Sequence, residues 1–259
     1  MACFRSAVAI VALLVFLPGA RSRWTGVSVA VGAAFAVTLV TFVTATKLTT
    51  AANAILLQST APLYLLLLGP WLLGERLQPS DLPLAGLFAL GLAILVAGGA
   101  PAQSTAPLPD VGNLLGAASG LTWAAALAGL RWTAGDPRAS GAALVAGNVI
   151  AVVACAGFAF PVTDASARDW LVIVYLGVVQ VALAYVCLSA GMRGVSAFEA
   201  SLLILLEPVL NPVFTWLAHG ERMGAAAVVG GAIVIGATAA RIWLDGRRAA
   251  VAAQPGTMP

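Results

Sequence analysis

Long apolar runs separated by short polar breaks organise the sequence. Hydrophobicity sustained over about 20 residues predicts a helix long enough to cross a bilayer. Such runs cover 4–20, 25–46, 51–73, 82–100, 111–131, 141–160, 169–192, 196–218 and 225–243, which predicts about nine spanning helices. The breaks read ARSRW, GERLQPSD, APAQSTAPLPD, AGDPRAS, PVTDASARD and GMRGVS, with the Pro, Gly, Ser and Asp that turns require. The longest, around 101–109, is rich in Pro and Ser and divides the chain into two halves. Residues 246–259 show no period and read as a disordered tail.

Composition agrees with this pattern. Hydrophobic residues make up 61% of the 259 and charged residues 9%, whereas a soluble domain carries about 25% charged residues to solvate its surface. The expected fold class is therefore an all-α polytopic membrane protein with the lipid bilayer as its solvent. The net charge of +3 is spread over basic residues that stand singly or in pairs. Nucleic-acid binding needs a clustered basic face, so no nucleic-acid partner is predicted. A single His, no Ser-His-Asp grouping and no glycine-rich phosphate loop argue against an enzyme. Cys3, Cys155 and Cys187 lack metal-ligand spacing and read as small apolar residues, so neither metal nor cofactor is expected.

The first run resembles a signal peptide in having Arg5, an apolar core and PGA. Secretory signals put their positive charge first, yet here Arg21 and Arg23 follow the core, which favours a membrane span. One alternating set of loops holds Arg21, Arg23, Arg76, Arg131, Arg138, Arg193, Arg241, Arg247 and Arg248; the other holds Arg5, Lys47, Arg168 and Arg222. The positive-inside rule then places the first set and the C-terminus in the cytoplasm, in a multi-pass protein of the cell (inner or plasma) membrane.

Displaced by 146 residues, Pro62 falls on Pro208 and Gly74-Glu75-Arg76 falls on Gly220-Glu221-Arg222. With one residue deleted thereafter, Gly86 and Gly91 fall on Gly231 and Gly236. An odd number of helices separates equivalent positions, so the repeats are inverted in the membrane. Inverted repeats characterise secondary transporters, with the substrate site near the midplane. The expected organisation is a first repeat over 1–100, a linker at 101–110 and a second repeat over 111–245. The second repeat has five helices against four, because the counterpart of 111–131 would precede Met1. Either a first helix was lost or the start was assigned too late.

These paired segments resemble the drug/metabolite transporter superfamily, specifically its EamA-type repeat. The residues that carry the likeness are Pro62, Gly74, Glu75, Arg76, Gly86 and Gly91, then Glu207, Pro208, Gly220, Glu221, Arg222, Gly231 and Gly236, with LTWAAALAGLR at 121–131. The resemblance implies a ten-helix carrier of small metabolites that works by alternating access, often coupled to protons or exchange. A small-molecule substrate is the implied partner, and a homodimer stays open.

Candidate site residues follow. Glu207, Asn211 and Thr215 recur every fourth residue and must share a helix face that points to protein or water. Glu207 reads as a proton or cation site, or as a protonated acid bonded to a carbonyl freed by Pro208 or Pro212. Gln58, Asn148 and Gln180 lie within spans, and Trp123 and Tyr185 add aromatic surface with a polar handle. These five either line a cavity or merely bond across helices. Glu199 follows Ser196 at capping-box spacing and reads as structural. Glu75-Arg76 and Glu221-Arg222 read as helix stops and interfacial anchors, with gating as the functional alternative. His219 reads as a polar tip at the interface. Two functions remain: a secondary transporter, or a degenerate, non-transporting membrane scaffold.

Overall fold

The computed structural model describes residues 2–49, 51–74, 78–79, 81–97, 107–160, 162, 165–204, 206, 210 and 225–252. All regular elements among them are helical: α1 (Ala2–Phe16), a 3-10 turn (Pro18–Arg21), α2 (Gly26–Leu48), α3 (Ala51–Gln58), α4 (Ala61–Leu72), α5 (Asp81–Ala97), α6 (Pro109–Thr133), α7 (Pro137–Ala156), α8 (Ala167–Tyr175), a π-helical segment (Leu176–Leu183), α9 (Ala184–Gly191), α10 (Ala197–Ile204) and α11 (Ala225–Ala252). Among the described residues, four stretches are long and apolar enough to cross a membrane: Gly26–Leu48, Pro109–Thr133, Pro137–Ala156 and Ala167–Gly191. Large apolar side chains such as Trp71 and Phe158 stand almost fully exposed, as a lipid-facing surface requires.

Helix starts follow the polar breaks. Thr25 caps α2 by accepting from the Ser28 amide (3.1 Å), while Ser28 Oγ accepts from the Thr25 amide (2.7 Å). Ser166 and Asp169 form the same reciprocal pair at the start of α8. Asp136 caps α7 just before Pro137, which needs no donor in the first turn. Gly74 follows α4 with φ +65°, the left-handed conformation that ends helices and favours glycine. The Gly of the first Gly-Glu-Arg is thus explained by helix termination.

Four expected boundaries change. The run over 4–20 stops helically at Phe16, because Pro18 redirects it into the 3-10 turn. The single span expected over 51–73 is two helices. Pro62 has no amide to offer the Gln58 carbonyl, and the chain breaks at Ser59–Thr60. The 169–192 span is continuous but widens into the π segment at its centre. Finally, α11 continues to Ala252, past residue 246, where the pattern predicts a tail.

The chain forms two compact units. One comprises Met1–Arg76 with Ala102–Ser201, the other Leu77–Pro101 with Leu202–Pro259. In the first unit, α2 is central and packs against α6 and α7. Gly32 and Gly147 let α2 and α7 touch backbone to backbone: a Cβ on Gly32 would lie 2.7 Å from the Gly147 amide nitrogen and 2.8 Å from the Ala143 carbonyl oxygen. Gly112, Gly116 and Gly120 recur along one face of α6, and α3 with the end of α2 lies against them. Interfaces of small residues are how helices associate in lipid, where close packing replaces the hydrophobic driving force. In the second unit, Gly91 of α5 sits against α11, 2.9 Å from Val234 Cγ2 once a Cβ is added; Gly86 faces open space. Of those two paired glycines in the repeat, one is a packing position and the other is not.

Gly32→Val should lower stability by about 1–3 kcal/mol, because its Cβ meets backbone that cannot rotate away. Gly86→Ala should have little effect. Thermal unfolding in detergent, followed by size-exclusion chromatography, checks the contrast.

Candidate functional site

The first unit gathers polar and aromatic side chains onto facing apolar helices. Gln180 lies near the middle of the Ala167–Gly191 span, inside its π segment. A π turn exchanges i→i−4 for i→i−5 hydrogen bonding and widens the helix, often at functional positions. Gly177, in the same segment, brings α1 flush: a Cβ there would lie 2.8 Å from the Arg5 carbonyl oxygen and 2.7 Å from Val8 Cβ. Arg5 Nη1 then points at Gln180 Oε1 from 3.5 Å, the long limit of a hydrogen bond. The Arg5 guanidinium is also near enough to the Tyr185 phenol to interact with it electrostatically.

Tyr185 joins this pair to an aromatic wall. Its ring meets Phe35 of α2 edge to face at a centroid distance of 4.6 Å, and Trp123 of α6 at 6.0 Å. Edge-to-face pairs at such distances fix ring orientation. One turn further along α2, the Thr38 hydroxyl lies 2.9 Å from that of Thr122, beside Trp123. Arg5, Trp123 and Tyr185 are half-buried and Gln180 is exposed, so the cluster is open on one side. A cation or an amide that faces hydrocarbon carries a penalty of several kcal/mol.

Of the candidates named from sequence, Gln180, Tyr185 and Trp123 belong to this cluster. Asn148 is buried in α7; its Nδ2 donates to the Leu144 carbonyl at 2.9 Å, while its Oδ1 has no partner among the described residues. Gln58 contributes backbone: a Cβ on Gly120 would lie 2.7 Å from the Leu57 carbonyl and 3.2 Å from that of Gln58, at the break that Pro62 creates. Glu199 accepts from the Ser196 amide at 2.7 Å and donates its own amide to Ser196 Oγ at 3.1 Å, a complete capping box for α10. Glu207, Pro208, Asn211, Thr215, His219, Glu75, Arg76, Glu221 and Arg222 lie outside the described residues.

Arg5 and Phe35 are the members that sequence reasoning passes over. Arg5 reads from sequence as a flanking charge. Its position within an apolar helix, bracketed by Cys3, Ser6 and Ala9, was the available signal, and all three of those are buried. Phe35 is indistinguishable from core by pattern alone.

An apolar, all-helical assembly with four stretches long enough to cross a membrane among the described residues fits a polytopic membrane protein. A family model for the EamA-like transporter family matches residues 110–241. The chain belongs to that family, which is one of transporters rather than of enzymes. Among solved structures, a protein crystal structure aligns with 95% of this chain and 86% of its own, at 25% identity and a TM-score of 0.76. No curated protein matches the sequence.

Ser196→Ala should cost about 1 kcal/mol by removing an N-cap acceptor. If Glu199 serves only that cap, Glu199→Gln should keep both folding and uptake. Loss of uptake in a stably folded Glu199→Gln protein, measured in proteoliposomes, would return Glu199 to the functional group.

Proposed function

We propose that this chain is a secondary transporter of the cell membrane that moves small metabolites or drug-like solutes by alternating access, coupled to protons or to exchange. The observation that carries the reading is the Arg5–Gln180–Tyr185–Trp123 cluster, polar and aromatic side chains brought together on facing apolar helices of the first unit. Groups of this kind line substrate paths in membrane carriers because hydrocarbon offers them no other use.

The organisation we propose is nine helices in two inverted repeats, 1–100 and 111–245, joined by 101–110. One feature supports it: α3 starts at Ala51 and α10 at Ala197, displaced by the same 146 residues as the sequence repeat. The helix break at Ser59–Thr60 and the π segment within the Ala167–Gly191 span suit a carrier whose helices change conformation about a site. In this reading the face of Glu207, Asn211 and Thr215 provides the coupling site, with Glu207 taking up and releasing the proton. The C-terminus is cytoplasmic.

A reporter fused after Arg248 should be cytoplasmic, and one inserted at 101–109 external; the opposite result would sink the topology. With Glu207 as the proton carrier, Glu207→Gln should abolish the pH dependence of uptake into vesicles. Unchanged pH dependence in that variant removes Glu207 from the coupling step.

A further inference from the structure

We infer that the cluster around Arg5 is a binding site for a solute with two ends, a carboxylate and a flat apolar or aromatic body. This deepens the transporter reading and rests on it. The carboxylate end follows from the state of Arg5. Its guanidinium carries five donors in a planar fork. Among the described residues no carboxylate forms an ion pair with it, and its Nε is shut off from solvent without a partner. Its side-chain hydrogen-bond partner is a neutral amide, Gln180, held at 3.5 Å. An amide at that distance neither neutralises the charge nor occupies the fork.

A carboxylate supplies what is missing: one negative charge and two acceptor oxygens in the spacing of the fork. Gln180 can turn its amide nitrogen to the same group, since it is exposed and lies within the widened π segment. A phosphate dianion suits the site less well, because the cluster offers a single cation. A cationic solute is repelled by it. The apolar end follows from Tyr185 and Trp123, half-buried rings that meet edge to face at 6.0 Å, while the buried Phe35 holds Tyr185 from behind. A flat body can lie against either ring with little loss of side-chain freedom.

The test uses the full chain in nanodiscs and three probes of nearly equal shape: indole-3-acetate, its neutral amide, and tryptamine. The acid should bind saturably and at least about ten-fold more tightly than the amide, with tryptamine weakest. Arg5→Gln should remove that preference and leave amide binding as it was, while Arg5→Lys should restore part of it. Equal binding of acid and amide by the unaltered protein, preference for tryptamine, or no binding of any probe would overturn the site without recourse to a variant. Acid binding unaffected by Arg5→Gln in a monodisperse protein would do the same. Uptake in proteoliposomes separates the two claims. Acid that binds through Arg5 but is never transported overturns the transporter reading alone. Transport of an amine or neutral solute that Arg5→Gln leaves intact overturns the anion site alone.

Discussion

A helix surrounded by hydrocarbon has no water with which to satisfy its polar groups, so each must be bonded from within the protein. Most of this structure obeys that constraint locally. Thr38, Thr41, Thr44 and Thr133 bond back to carbonyls one turn earlier, at 2.7–3.0 Å. Ser119 does the same to Gly116 at 2.7 Å. Three capping boxes close the starts of α2, α8 and α10. Where helices end at polar breaks, long side chains tie the ends together: Arg131 Nη1 donates to the Met192 carbonyl at 2.6 Å, joining α6 to the turn after α9. Against this background the unsatisfied groups are informative. Arg5 Nε and Asn148 Oδ1 are the buried side-chain atoms without partners among the described residues, and the cluster is built around the first of them.

The same constraint explains why glycine does so much of the packing. With no hydrophobic gain from burying one apolar helix against another in lipid, association depends on contact distance and on polar bonds across the interface. Glycines at every fourth position of α6, and the Gly32–Gly147 crossing of α2 and α7, bring backbones together. That crossing also sets the site. Gly147 abuts Phe35, since a Cβ there would lie 2.6 Å from Phe35 Cδ1, and Phe35 in turn holds Tyr185. Gly177 acts likewise for α1, seating Arg5 beside the π segment. Packing positions and the residues of the polar cluster alternate along the same helices.

The all-helical, membrane-protein class was legible in sequence because long apolar runs favour helices, and because caps and turns leave local signatures. Ser196 and Glu199 could be paired from their spacing alone. Helix breaks were only partly legible. Pro62 announces a break, but nothing local announces the π segment, against which α1 packs at Gly177. Trp123, Tyr185 and Gln180 could be named as polar or aromatic residues in apolar runs. Their meeting could not, because it joins α2, α6, α9 and α1 across most of the first unit. Arg5 was misjudged for a related reason: near the end of an apolar run a charge looks interfacial, and its partner lies 175 positions away.

The retention of Arg5 constrains which way the cluster faces. An apolar residue at that position would pack against Val8, Gly177 and the π segment at no electrostatic cost. A cation whose side-chain partner among the described residues is an amide at 3.5 Å is instead destabilising wherever lipid surrounds it, by several kcal/mol. Screening by a neutral dipole does not recover that loss. The arrangement becomes tolerable only if water or a solute reaches the guanidinium. The open side of the cluster, where Gln180 is exposed, must therefore give onto an aqueous or protein-lined path and not onto hydrocarbon. The exposed apolar residues of the same span, Leu171, Val174 and Leu183, supply its lipid-facing surface, so one helix presents both environments along its length. That division lets a membrane span carry a polar group such as Gln180 near its middle without losing its place in the bilayer.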